Sequence, residues 1–190
     1  MPLRNADAVR EVEERARTIR VLALDVDGTL TDGTIQIGPT GEAMKGFSVH
    51  DGFGLSLLRE AGIRLAIVTG RGSEIVARRA EELRFDAVLQ RVGDKSAALR
   101  ELAQRFGCTV AEIAYMGDDW PDLPALAVAG LSAAPADARP EVLACVQWIS
   151  DRPAGRGAVR ELAEWLLTVR GQFRDALERH RRGATTPAKQ

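Results

Sequence analysis

Two aspartates stand two residues apart in Asp25-Val26-Asp27-Gly28-Thr29, directly after the short run Ile19-Arg20-Val21-Leu22-Ala23-Leu24. In an extended segment residues i and i+2 point to the same side, so both carboxylates would face one place. Gly117-Asp118-Asp119 follows a second apolar run, Ile113–Met116, and Thr69-Gly70-Arg71 follows a third, Ile63–Val68. Asp25, Asp27 and Asp118 crowded together would repel, and some would take up protons unless a cation joined them. The ligands are all oxygens, with no His or Cys beside them, which selects a hard divalent ion, magnesium first. Magnesium typically brings a phosphate with it. A carboxylate can accept a phosphoryl group as a nucleophile. A second carboxylate two residues on can protonate the leaving oxygen and then deprotonate the attacking water. Gly28 would let the backbone turn its amides toward phosphoryl oxygens. Thr69 supplies a hydroxyl, and Lys95 a point charge at the start of a helix, where anions are favoured.

Each piece also has an ordinary structural reading. Asp-Gly-Thr occurs in turns, Thr-Gly-Arg fits a strand-to-helix turn, and Asp118 and Asp119 could cap a helix. The combined Asp-x-Asp-Gly-Thr string is rarer, expected by chance about once in several hundred chains of this size.

To bring these clusters together, the chain needs strands that end at one edge. Residues 19–24, 63–68, 87–89, 113–116, 131–134 and 146–149 read as short buried strands. Helices are expected at about 7–18, 54–60, 73–83, 95–106, 123–128 and 158–169. Ser73 and Asp94 stand at N-cap positions, Gly107 at a C-terminal cap, and Thr109 and Glu112 have capping-box spacing. Strands alternating with helices predict an α/β fold, a parallel sheet with helices on both faces. There, ligands bind at the carboxyl ends of the strands, where all three clusters fall. Gly33–Val49 alternates around Gly38-Pro39-Thr40-Gly41 and reads as a β-hairpin insertion. One domain over 1–170 is expected, with a basic tail over 171–190 that begins as a fraying helix and then loses order.

Composition narrows the chemistry. Of 26 basic residues in the 190, only three are lysines, Lys45, Lys95 and Lys189. Cys108 and Cys145 form no CxxC pair, and His50 and His180 are the two histidines. A zinc site, a disulfide framework and a histidine metal cluster are therefore not expected, and no Gly-x-Ser-x-Gly elbow is present. A net charge of -1 gives no reason to expect nucleic acid. No apolar run has the length of a membrane span, and the first 20 residues are too charged for a signal peptide, so a cytoplasmic location is expected.

In order, Asp25-Val26-Asp27-Gly28-Thr29, Thr69, Lys95 and Gly117-Asp118-Asp119 with Asp122 resemble the four motifs of the haloacid dehalogenase superfamily. The resemblance implies Asp25 as nucleophile, Asp27 as general acid/base, and Thr69 and Lys95 as holders of the phosphoryl group. It implies magnesium bound by Asp25, the backbone carbonyl of Asp27, and Asp118, with Asp119 and Asp122 supporting that shell. The second aspartate marks phosphatase members.

Spacing then bears on the substrate. Thr29 and Thr69 are separated by 39 residues and Lys95 and Asp118 by 22, too few in either interval for a cap domain. A capless site is open to water and has little surface with which to select a small substrate. Either the substrate is large or another subunit completes the site. The hairpin, Phe47–Gly54, Arg71, Arg78-Arg79 and Gly155–Glu161 resemble one branch, the 3-deoxy-D-manno-octulosonate 8-phosphate phosphatases of lipopolysaccharide synthesis. That resemblance implies a homotetramer in which a neighbour's hairpin-flanking loop and glycine-rich segment help cover each site. It implies substrate contacts from Gly28, Gly70, Arg71 and Arg79, and from Val49, His50 and Asp51. Arg71 and Arg79 would take the sugar-acid carboxylate, since a guanidinium fork suits it. His50 stands where the branch more often has Arg, and Ala154 replaces the first Gly of a Gly-Gly pair. The alternatives are a nine-carbon sugar-acid 9-phosphate or another small phosphate as substrate, and a non-catalytic, assembly-forming domain.

Overall fold

The structure is a computed structural model and describes residues 6–183. Its helices are α1 (Ala6–Thr18), α2 (Val49–Glu60), α3 (Glu74–Glu82), α4 (Lys95–Phe106), α5 (Leu123–Val128), α6 (Pro140–Leu143), α7 (Ala158–Val169) and α8 (Phe173–Arg181). Its strands are β1 (Val21–Leu24), β2 (Gln36–Gly38), β3 (Gly41–Met44), β4 (Arg64–Val68), β5 (Ala87–Leu89), β6 (Ile113–Met116), β7 (Leu131–Ala134) and β8 (Trp148–Ile149).

Six strands form one parallel sheet in the order β5-β4-β1-β6-β7-β8. Leu24 lies level with Ile67 of β4 and Met116 of β6, so the residues that follow all three strands emerge at one edge. The chain builds outward from β1 through β4 and β5, then crosses back to begin β6 on the other side. That reversal opens a crevice beside β1, between Asp25 and Asp118.

The strands are short and apolar on both faces because both faces are covered. Leu22, Leu24, Leu65, Ile67, Ala114 and Met116 pack into one core with α1, α2, α3 and α7. Val21, Ala23, Ala66, Val68, Ile113 and Tyr115 pack into the other with α4, α5 and α6. Local signals fix the helix ends that matter for the site. Ser73 accepts from the Val76 amide, Asp94 accepts from the Ser96 and Ala97 amides, and Gly107 closes α4 at φ +62°. Thr109 and Glu112 form the expected capping box.

Three segments differ from expectation. First, α2 starts at Val49, capped by Ser48, and not at Gly54. Gly52 and Gly54 are inside it. A Cβ on Gly54 would lie 3.0 Å from the Arg160 Cα, so the glycine there permits close packing against α7 and does not break the helix. The paired hairpin strands are correspondingly short, and β2–β3 stands apart from the main sheet. Second, the helix expected to fray after Gly171 is α8, and it is packed against the rest of the fold. In α8, Ala176 is buried and the His180 ring sits edge-on to Phe53, 5.1 Å between centroids. Residues 184–190, where loss of order was also expected, lie outside the described residues. Third, α6 had no expected counterpart. Among the described residues no helix is long and apolar enough to cross a membrane.

Candidate active site

Asp25 leaves the end of β1 with its amide donating to the Met116 carbonyl of β6 at 3.0 Å. The turn after it passes over Asp118. Gly28 there has φ +89°, and a Cβ at that position would fall 2.1 Å from Asp118 Oδ2. Only glycine meets both demands. Thr29 Oγ1 then donates to Asp118 Oδ1 at 3.0 Å. The resulting cleft, about 290 Å³, is lined by Asp25, Asp27, Thr69, Gly70, Arg71, Lys95, Asp118, Asp119 and Asp122, among others.

Lys95 opens α4 and is buried at the base of the cleft. Its ammonium donates to Asp122 Oδ1 at 2.6 Å and lies 2.9 Å from Asp25 Oδ2. Burial disfavours its charge, but Asp25 and Asp122 outweigh that and hold its pKa above the ordinary value. Tyr115, at the end of β6, donates its hydroxyl to the same Asp122 oxygen at 2.5 Å, and burial with Asp122 beside it raises its pKa well above that of a free phenol. The other Asp122 oxygen accepts from the Asp118 and Asp119 amides at 3.0 and 3.1 Å. Asp122 is thus fully engaged as a bracket joining Lys95 to the loop after β6. Asp119 caps the short turn that follows by accepting from the Trp120 amide.

Asp25 keeps its Oδ1 buried and without a hydrogen-bond partner. One oxygen each of Asp25, Asp118 and Asp122 lie within 4.8 Å of one another. Burial and then the nearby Asp122 push Asp118 up to about 7, against the pull of Thr29. The same two causes raise Asp25, opposed by Lys95. The cluster holds more negative charge than its burial tolerates. A divalent cation relieves that strain, and the donors are hard oxygens suited to magnesium. Asp25 and Asp118 have oxygens to offer; Asp122 does not.

The second half of the site comes from the hairpin. Lys45, just past β3, points its side chain inward with no exposed surface and pairs with Asp27 Oδ1. Its ammonium also lies 3.0 Å from Glu42 Oε1, and Ser73 Oγ donates to the other Glu42 oxygen. Arg71 Nε lies 3.5 Å from Asp27 Oδ2. Lys45, Glu42, Ser73 and Tyr115 were not foreseen as members of the site. Lysine scarcity was a signal for Lys45, and a phenol beneath the edge of an otherwise apolar strand was one for Tyr115.

Four expected substrate contacts are not brought to the cleft. Arg79 of α3 lies over the Phe47 ring and pairs with Glu82. Asp51 is buried and accepts from the amides of Gly157 at 3.2 Å and Arg160 at 2.8 Å. Gly157 begins α7 without a side chain to cap it, so a carboxylate from α2 does that work. Val49 is exposed, and His50 lines a separate groove with Arg156 and Arg160.

A model of the haloacid dehalogenase-like hydrolases matches residues 54–130. The chain is 39% identical over 166 residues to the 3-deoxy-D-manno-octulosonate 8-phosphate phosphatase KdsC of Yersinia pestis, covering 87% of this chain and 89% of that one. It is 37% identical to KdsC of Escherichia coli K12, over 87% and 88% of the two chains. Among solved structures, the 3-deoxy-D-manno-octulosonate 8-phosphate phosphatase of Moraxella catarrhalis superposes with a TM-score of 0.86 at 38% identity. The match covers 89% of this chain and 97% of that one, and that crystal contains a magnesium ion, a phosphate ion and KDO.

Proposed function

We propose, from the premise that the chain belongs to the 3-deoxy-D-manno-octulosonate 8-phosphate phosphatase family of haloacid dehalogenase-like hydrolases, that it hydrolyses that sugar-acid phosphate through an aspartyl-phosphate. The chain is a phosphatase, and what remains is how its residues divide the work. The observation that carries the mechanism is the asymmetry of Asp25. Lys95 steadies one carboxylate oxygen, while the other is buried with no partner, on a residue that lines the cleft.

In the first step that free oxygen attacks phosphorus, the ester P–O bond breaks, and the leaving alkoxide takes a proton from Asp27. In the second, water attacks phosphorus, gives its proton to Asp27, and the bond to Asp25 breaks. Lys95 and the Thr69 hydroxyl hold phosphoryl oxygens in both steps. Asp25, the Asp27 carbonyl and Asp118 would hold magnesium, which supplies charge neutralisation on the phosphoryl group. Asp122 does not ligate. It fixes Lys95 and the Asp118 loop.

Arg71 lines the cleft half-exposed and is the residue on this chain suited to the sugar-acid carboxylate. Its presence supports a sugar-acid substrate, and the similarity to octulosonate 8-phosphate phosphatases supports the eight-carbon one. Exposed Ile37, Met44, Val49 and Phe53 on the hairpin and the start of α2 support a homo-oligomer, expected to be a tetramer, in which Val49 and His50 serve a neighbour's site. The reading further places the reaction in the cytoplasm, in lipopolysaccharide precursor synthesis.

The test is release of phosphate from 3-deoxy-D-manno-octulosonate 8-phosphate with and without magnesium, beside a nine-carbon 9-phosphate and an aryl phosphate. Magnesium-dependent turnover fastest on the eight-carbon ester is expected. Equal rates on all three would overturn the substrate. Light scattering of the purified chain settles the assembly: a monomer would sink the shared-site reading.

A further inference from the structure

Lys45 is the buried charge that the mechanism above leaves without a task. Its side chain has no exposed surface, though it belongs to a hairpin outside both cores. An enclosed ammonium persists only among partners. It has two, Asp27 Oδ1 and Glu42 Oε1, and Glu42 is tied in turn to Ser73, which caps α3. The lysine is thus held from the hairpin and, through Glu42, from α3. The two oxygens of Asp27 are consequently unlike. Oδ1 is fixed by the enclosed lysine. Oδ2 faces Arg71 at 3.5 Å, and the Arg71 side chain is 52% exposed. A pairing so open to water is weak and easily exchanged.

We propose that Lys45 is a positioning residue for proton transfer: it fixes Asp27 by Oδ1 and so presents Oδ2 to the oxygen of the leaving group. The proposal rests on the reading of Asp27 as the general acid/base of a phosphatase. A general acid acts only within hydrogen-bond reach of the atom it protonates, and small misplacements cost much of its effect. The competing role for Lys45 is to pin the hairpin and nothing more.

Leaving-group chemistry separates the two roles. A sugar alkoxide must be protonated as it departs, whereas p-nitrophenolate leaves without a proton. The ratio kcat/KM covers the steps through departure of the alcohol, which isolates the transfer from Asp27. On the full magnesium-loaded chain, Lys45→Met should lower kcat/KM for 3-deoxy-D-manno-octulosonate 8-phosphate by about 100-fold. For p-nitrophenyl phosphate it should fall by less than about threefold, since that step needs no acid. Asp27→Asn should show the same contrast, larger. Retained turnover of the aryl ester also shows that the variant is folded. If Lys45→Met does not fold, Lys45→Gln, neutral and of similar reach, is measured in its place. Equal losses on both esters, with Asp27→Asn still discriminating, would overturn the role of Lys45 alone. An Asp27→Asn variant that does not discriminate would overturn the reading of Asp27 and the proposal with it.

Discussion

Lys95 and Lys45 hold the two carboxylates of the Asp25-Val26-Asp27 string in similar company. Each ammonium lies between two carboxylates, and one of the two belongs to the Asp25-Val26-Asp27 string. Their foundations differ. Lys95 starts a helix packed on the sheet, and its partner Asp122 is 1% exposed and bound by Tyr115 and two amides. Lys45 comes from a two-stranded ribbon whose Ile37 and Met44 are exposed, and its partners Asp27 and Glu42 keep some contact with water. Asp25 is therefore braced by the core, and Asp27 by an appendage. A two-stranded ribbon alone is marginally stable, so the second brace is the one that an assembly or a substrate can firm up.

The comparison can be broken at several points. Asp25→Asn should remove phosphate release by about 10⁴-fold or more while the melting curve stays close to wild type. Substantial turnover would take the nucleophile away from the carboxylate that Lys95 holds. Urea titration should then rank the two lysines. Lys95→Met leaves the buried Asp122 and Asp25 without their cation and should cost about 3–5 kcal/mol. Lys45→Met should cost about 1–2 kcal/mol, because its carboxylates reach water. Reversed order would mean that the hairpin, and not the core, braces the site.

Asp51 serves as a control carboxylate whose partners are amides. Asp51→Ala orphans two amides at the start of α7 and should cost about 2 kcal/mol, a fall in Tm of roughly 4–8 °C for a chain this size. Its kcat should hold if the cap is its whole task; a collapse of kcat with an unchanged Tm would restore it to substrate binding.

The smallest effect concerns pH. Metal-free Asp118 titrates at about 7 when folded, against an ordinary 3.8. A raised carboxyl value means that the proton favours the folded state. The contribution is full below about pH 4 and is lost as pH rises through about 7. A divalent cation must displace that proton. Magnesium should accordingly raise Tm more at pH 8 than at pH 6, and a shift independent of pH would remove Asp118 from the metal site.

Much of this was legible along the chain. Asp94, Ser73, Gly107 and the Thr109–Glu112 box act within four residues, so their caps could be read directly. The strand-end clusters were legible because a short run apolar at every position is a strand buried on both faces. Gly54 misled because glycine reads as punctuation, whereas here it admits the α7 backbone. Arg79 and Asp51 misled because a side chain's type does not say which way it points.

By itself, then, the sequence determined the parallel sheet, the edge at which Asp25, Thr69 and Asp118 emerge, and the oxygen-only donor set. These follow from periodicity and from the order of motifs. The tertiary structure alone decided which partner each charge takes. Asp51 caps a helix 109 residues away, and Lys45 meets Asp27 across 18. Such pairings depend on how packed elements orient their side chains in space, and no local pattern carries that information.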